Sequence, residues 1–236
     1  MNNEKMYNGL DWTTHARKLI LGLSEFPKNS KIIILLRHSE IDEVKSVWKP
    51  KELLLTPFGH QMAKYFGKKL PLNRNIRLFT SHAPRCHETA EDIFQGFSEN
   101  GGKAEMKGDL EPLYKIGVDR NFFLTQLADY DLVKYVQNWA MEAFPHDKAL
   151  PLSSYSINAA NIIWNLVETA PIRSIDIHLT HEIPIMGLRY GWFNLQPDQK
   201  WVNFLGGIAF TFQRDNILLF DIDKFLTVKT PHWWKK

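Results

Sequence analysis

The amino-acid sequence predicts one α/β domain, a three-layer αβα sandwich built on a mostly parallel sheet. Three observations carry this expectation. Lys31-Ile-Ile-Ile-Leu-Leu36 is a short apolar run rich in β-branched residues, as expected of a strand covered on both faces. Strand-like and helix-like segments then alternate along the chain, the pattern of layered α/β folds. With 236 residues, 44% hydrophobic and 23% charged, the chain has ordinary globular composition and material for one domain.

Each element has its own signal. Residues 10–26 read as an amphipathic helix, capped by Asp11 or Thr13, with Leu10, Ala16, Leu19, Ile20 and Leu23 inward and Pro27 after its end. It belongs to an N-terminal helical extension, 1–30, ahead of the main domain, 31–236. Thr56 and Pro57 open a helix to about Leu70, as N-cap and first helical residue. Residues 76–80 read as a strand and 84–97 as a helix. Asn100-Gly-Gly102 is a turn before a candidate short strand at 104–107. Residues 119–145 are helical in pattern, 156–169 form a helix ended by Pro171, 174–180 a strand and 184–193 a helix. Residues 207–212 and 217–221 pair as a hairpin around Arg214-Asp-Asn216. The stretch 112–150 is expected as a cap inserted over the carboxyl edge of the sheet, where ligands bind in such folds. Within it, Tyr114, Lys115, Arg120, Phe122, Phe123 and Tyr130 suggest a mixed aromatic and basic lining.

Composition narrows the function. A single cysteine excludes an internal disulfide framework and cysteine-rich zinc sites. Net charge is +3 with basic residues scattered, in runs no longer than Lys68-Lys69; that is not the footprint of a nucleic-acid binder. No segment approaches the roughly 20 apolar residues that span a bilayer, and the first residues lack the apolar stretch of a signal peptide. A soluble cytoplasmic protein with no membrane partner is the expectation. The His232-Trp-Trp-Lys-Lys236 tail reads as a docked or partner-facing aromatic end, and Trp192, Phe193, Trp201 and Phe204 read as core.

Three segments carry possible chemistry. Leu36-Arg37-His38-Ser39-Glu40 follows the buried strand and offers a cation beside a nucleophile or base. Ser81-His-Ala-Pro-Arg85-Cys-His-Glu-Thr89-Ala90 follows the next strand and enters a helix. There, Arg85 and the helix N-terminus favour an anion. Thr180-His181-Glu182 ends a third strand with an imidazole and a carboxylate. Alone, each also reads blandly, as a strand-capping basic pair, an exposed arginine and a structural histidine. Together they place phosphate-compatible groups at three strand ends, which converge if the strands are neighbours. His178 and His181 make a poor metal pair, with no third ligand evident. Cys86 has no arginine six positions on, as a cysteine phosphatase would require, since position 92 is Asp.

These segments resemble the histidine phosphatase superfamily, also called phosphoglycerate mutase-like. Leu36-Arg37-His38-Ser39 is similar to its Arg-His-Gly signature, and Leu55-Thr56-x-x-Gly59 to the motif opening its first core helix. Ser81-x-x-x-Arg85-x-x-x-Thr89-Ala90 matches its Ser…Arg…Thr-Ala spacing. Thr180-His181-Glu182 resembles its second catalytic histidine, and Trp201–Phe212 a late strand entry of some members. Order and spacing match over residues 31–190.

The resemblance implies a phosphoglycerate mutase-like fold and metal-independent hydrolysis of a phosphate monoester, with no cofactor, through a phosphohistidine. His38 is the implied nucleophile. Arg37, Arg85 and His181 are the implied phosphate holders, and Ser39 a further contact in place of the usual Gly. His38 needs a neutral attacking nitrogen, so its other nitrogen is expected to donate to a backbone carbonyl. Two carboxylates compete as proton donor. Glu111, in Asp109-Leu-Glu111-Pro-Leu, stands where the mutase branch places its glutamate and is slightly preferred. Glu182 stands where the acid-phosphatase branch places its acid, and Glu40 is a weaker third. Ile41-Asp-Glu-Val-Lys-Ser-Val-Trp48 replaces the segment holding an Asn in mutases and sugar bisphosphatases. The implied partner is a small phosphate ester or other phosphorylated substrate. A non-catalytic phosphate-binding protein and a phosphoglycerate-type mutase stay open as alternatives. Substrate identity and oligomeric state are not legible.

Overall fold

In the computed structural model, residues 3–42, 53–129, 131–198 and 202–234 are described. The sequence readings at Tyr130, Trp48 and Trp201 lie outside them. Seven strands form one mixed sheet in the order β3-β2-β4-β1-β5-β6-β7. Strands β1 (Ile32–Arg37), β2 (Asn75–Thr80), β3 (Ala104–Asp109) and β4 (Ser174–Thr180) are its parallel half. Strands β5 (Gly207–Phe212), β6 (Asn216–Asp221) and β7 (Lys224–Lys229) extend it as an antiparallel meander from β1. The expected hairpin is β5–β6. The sequence reading missed β7, an edge strand whose alternation is too polar to stand out.

Helices cover both faces. Alternate residues of β1 divide between two cores, as the period of a strand dictates. Ile33 and Leu35 join Tyr155, Ile163, Ile185 and Leu188 on one face. Ile32, Ile34 and Leu36 join Leu19, Met62, Phe66 and Ile93 on the other. The first face is packed by α6 (Leu132–Ala140), α7 (Leu152–Thr169) and α8 (Glu182–Phe193). The second is packed by α2 (Thr14–Gly22), α3 (Pro57–Lys69) and α4 (Pro84–Glu99). Each fully buried Ile or Leu contributes about 1.5–3 kcal/mol of transfer free energy. A run of five at 1% exposure or less explains why β1 anchors the sheet.

Several boundaries differ from the sequence reading. The single helix expected over 10–26 is α2, flanked by 3-10 turns at Asp11–Thr13 and Leu23–Glu25, and α1 (Asn3–Gly9) precedes it. The helical stretch at 119–145 is two helices, α5 (Arg120–Asp129) and α6, with the Asp131 side chain capping the second. Their aromatic residues face inward. Phe122 packs edge-on to Phe144 and Phe123 to Tyr135, so these two serve the core rather than a pocket lining. In the tail, Trp234 is docked at 2% exposure against Trp192, Phe210 and Phe212. Among the described residues no helix is long and apolar enough to cross a membrane.

Candidate active site

Strand β4 lies between β1 and β2, and all three run parallel. Their carboxyl ends therefore deliver His38, His181 and the Ser81–Arg85 segment to the same edge. Arg37 sits at the last position of β1, paired in register with Thr180 of β4. The backbone continues the pairing one step, His38 N–H donating to the Thr180 carbonyl at 3.0 Å.

His38 is 2% exposed. Its Nδ1 lies 2.8 Å from the Ser39 carbonyl, which accepts only, so Nδ1 carries the proton. Its Nε2 accepts from Arg85 Nε at 3.1 Å, which leaves a lone pair on that nitrogen. Burial, then the neighbouring His181, Arg85 and Arg37, hold the His38 pKa well below the ordinary histidine value. The imidazole is neutral, with its unprotonated nitrogen toward the arginine.

Arg85, in the first turn of α4, bridges both imidazoles. Its Nη2 lies 3.0 Å from His181 Nδ1. A guanidinium only donates, so Nδ1 accepts and the His181 proton resides on Nε2, 3.1 Å from Ser81 Oγ. Desolvation and the two arginines keep His181 neutral as well. The two imidazole centroids are 5.3 Å apart. Tyr114 packs edge-on over His181 at 5.9 Å.

Arg37 is fixed from three directions. Its Nη1 donates to the Val202 carbonyl at 3.0 Å, its Nε lies 3.0 Å from Glu182 Oε2, and its guanidinium covers the Phe204 ring at 4.3 Å. Phe204, read from sequence as core, is thus also the platform under the site's first cation. Glu182 is the first residue of α8.

Ser39 is placed differently from the expected phosphate contact. Its hydroxyl donates to the Gly59 carbonyl at 2.7 Å and the residue is fully buried. Its N–H donates to Thr89 Oγ1 at 3.0 Å, and that hydroxyl donates to the Arg85 carbonyl at 2.7 Å. Ser39 and Thr89 therefore tie the loop after His38 to α3 and α4. The Thr56-x-x-Gly59 motif has the same task. Thr56 Oγ1 caps α3 at Gly59 N, 2.8 Å away, and contacts Glu40 Oε2. A Cβ on Gly59 would lie 2.3 Å from the Glu40 carbonyl oxygen, so only glycine admits this approach. The Thr56 cap is the one the sequence predicts, whereas Ser81 and Thr89 stand within motifs without a predicted role; their hydroxyl partners are set by tertiary contacts.

Glu111, the slightly preferred acid, is placed on the surface. Its side chain is 64% exposed and paired with Lys115 Nζ at 2.9 Å. That pairing holds its pKa below the ordinary glutamate value, opposite to what a proton donor needs. Glu182 is the carboxylate joined to the site. Glu40 braces α3. Cys86 is buried, its thiol pushed up to about 12 by desolvation, so it is no thiolate nucleophile. His82 and His87 both hold Asp109, at 2.7 and 2.9 Å. Among the described residues no cluster of His, Cys, Asp and Glu is arranged to hold a metal ion.

No protein-family model and no curated protein sequence matches the chain. Solved structures do match. Phosphoserine phosphatase from Entamoeba histolytica, a mutant in complex with phosphoserine, shares 20% identity with a TM-score of 0.58, over 83% of this chain and 96% of that one. Mycobacterial glucosyl-3-phosphoglycerate phosphatase, complexed with VO3, shares 13% identity with a TM-score of 0.55, over 85% and 97%. Phosphoglycerate mutase from Bacillus anthracis shares 13% identity with a TM-score of 0.52, over 86% and 94%. Two of these are phosphatases and the third is a mutase. The chain has the α/β phosphoglycerate mutase-like fold.

Proposed function

We propose that this protein is a phosphomonoesterase of the histidine phosphatase type, acting through a phosphohistidine on His38. The observation that carries the reading is the Arg85 guanidinium joining His38 Nε2 and His181 Nδ1 at the common edge of β1, β2 and β4. Arg37 stands beside it. Phosphatase and mutase names among the fold neighbours agree with it.

The chemistry follows from what the groups can do. A phosphate ester draws the Arg85 fork onto its oxygens, since charge-assisted bonds to phosphate are stronger than bonds to neutral nitrogen. That exchange releases the His38 Nε2 lone pair. Nε2 attacks phosphorus, the P–N bond forms and the ester P–O bond breaks. Arg37 and Arg85 balance the charge on the equatorial oxygens, the main catalytic requirement of phosphoryl transfer. The Ser39 carbonyl, accepting from Nδ1–H, stabilises the positive charge on the ring. His181 holds Arg85 in register through Nδ1.

The departing alkoxide needs a proton, and Glu182 supplies it in this reading. Its Oε2, 3.0 Å from Arg37 Nε, stands beside the proposed phosphate position. Water then attacks the phosphohistidine, gives its proton to Glu182, and inorganic phosphate leaves with His38 neutral again.

Release of phosphate from an aryl phosphate tests the proposal. Wild type is expected to turn over. His38→Ala is expected to lose all activity, and Arg85→Ala about 10²–10³-fold in kcat, the scale for removing one oxyanion donor. Full activity in His38→Ala overturns it.

A further inference from the structure

The segment Val202–Gly206, leading into β5, lies against the end of β1. Arg37 N–H donates to the Gly206 carbonyl at 2.9 Å, and Leu205 N–H donates to the His38 carbonyl at 3.3 Å. The segment also meets the Arg37 side chain twice. The Val202 carbonyl accepts from Nη1 at 3.0 Å, and the Phe204 ring lies under the guanidinium, 4.3 Å from Cζ. The same ring is 5.7 Å from that of His38. Leu205, the next residue, is fully buried with φ at 53°, a left-handed backbone that is unfavourable for any residue with a Cβ. Strain of this kind persists where the surroundings enforce it, and it clusters at functional sites.

The surroundings that enforce it include the N-terminal segment. Trp12, in the 3-10 turn Asp11–Thr13, packs edge-on to Phe204 at 5.9 Å and to Phe58 at 6.3 Å. His15 Nδ1 accepts from Asn203 N–H at 3.4 Å. The turn is fixed in its own right. Thr13 Oγ1 donates to the Leu10 carbonyl at 2.8 Å, and Arg17 Nη1 donates to Thr13 Oγ1 at 2.6 Å. Contacts therefore run from the N-terminal turn, through Phe204, to Arg37.

The two groups that hold the guanidinium act differently. Glu182 meets Nε with an opposite charge. An aromatic face attracts the cation through its quadrupole and accepts none of its in-plane N–H bonds. Phe204 thus fixes the plane of the fork without neutralising it, and a cation oriented before phosphate arrives has less freedom to lose on binding. A leucine would fill similar space with no such attraction.

We propose that Phe204 is a positioning residue for the phosphate group, acting through Arg37, and that Trp12 holds Phe204 in place. The proposal rests on the phosphomonoesterase reading above. It makes the N-terminal segment part of the active-site scaffold.

The test is a double-mutant cycle on the Kd of inorganic phosphate, measured by calorimetry on the full chain, which needs no turnover. Phe204→Leu is expected to weaken phosphate about tenfold, the scale of a partly desolvated contact between a cation and an aromatic ring. In the Arg37→Gln background the same change is expected to cost less than about twofold, because the group it acts through is gone. Phe204→Tyr keeps a ring face and is expected to restore affinity to within about twofold of wild type. Trp12→Leu is expected to weaken phosphate about threefold, and to add nothing in Phe204→Leu. An equal loss with and without Arg37, or a loss in Phe204→Tyr as large as in Phe204→Leu, overturns the role of Phe204. Additive losses for Trp12 and Phe204 overturn the role of Trp12. If wild type binds phosphate but hydrolyses no aryl phosphate, the phosphatase reading fails while the cycle still decides this proposal. If wild type binds no phosphate, both fail.

Discussion

His178 makes the fold labile to acid. It sits in the middle of β4 with no exposed surface, stacked on Phe79 at 4.8 Å and 8°. Neither ring nitrogen has a hydrogen-bond partner among the described residues. Desolvation, with Arg77 nearby, pushes its pKa down to about 3 from the ordinary 6.5. A histidine depressed in the folded state costs nothing above pH 6.5, because both states are then neutral. Below that, the unfolded chain gains a proton that the fold refuses, and stability falls until the folded pKa is reached. Between pH 7 and pH 5 this loss comes to about 2 kcal/mol for one such group. His38 and His181, depressed by burial and the arginines, act in the same direction. Urea unfolding of wild type and His178→Leu at both pH values isolates the His178 share, because every other titration cancels in the difference. The variant is expected to lose about 2 kcal/mol less than wild type on going to pH 5. Equal losses in the two proteins refute the reasoning and show that His178 is protonated in the folded state.

Other expectations follow from the same geometry. Gly59→Ala forces its Cβ to within 2.3 Å of the Glu40 carbonyl, so the turn after His38 must shift. Activity is expected to fall about 10–100-fold, the scale of a misplacement near 1 Å, and thermal unfolding reports the accompanying strain. Glu182→Gln is expected to slow hydrolysis of alkyl phosphates far more than of p-nitrophenyl phosphate, whose leaving group needs no proton. Glu111→Gln is expected to change both rates by less than about twofold, because its partner is the exposed Lys115. Asp221→Ala leaves Arg189 buried without the carboxylate it now meets at 2.7 and 2.9 Å. Chemical denaturation is expected to show a loss of about 3–5 kcal/mol.

Most of the fold was legible because burial leaves a pattern. The β1 run and the Thr56-Pro57 helix start could be read at sight, since a covered strand and an N-cap each require particular residue types locally. β7 and the division of 119–145 into two helices were not, because an edge strand and a short break carry weak patterns. Arg37, His38, Arg85 and His181 stand out in the sequence as strand-end residues, and the topology brings them together. The finer assignments depended on contacts across the chain. Ser39 has the small polar side chain expected of a phosphate contact, but its hydroxyl donates instead to the carbonyl of Gly59, twenty residues on. Glu111 sits at the spacing of a catalytic glutamate, but Lys115 one turn later holds it at the surface. Trp12 gave no signal of a role at the site, since its neighbours Phe58 and Phe204 are distant in sequence.

The most direct test of the phosphohistidine is the mass of the intact protein after rapid, acid-free quenching with an aryl phosphate. Wild type is expected to gain one phosphoryl group and His38→Ala none. A phosphoryl adduct of equal size on His38→Ala, or turnover by wild type with no adduct under any quench time, contradicts it.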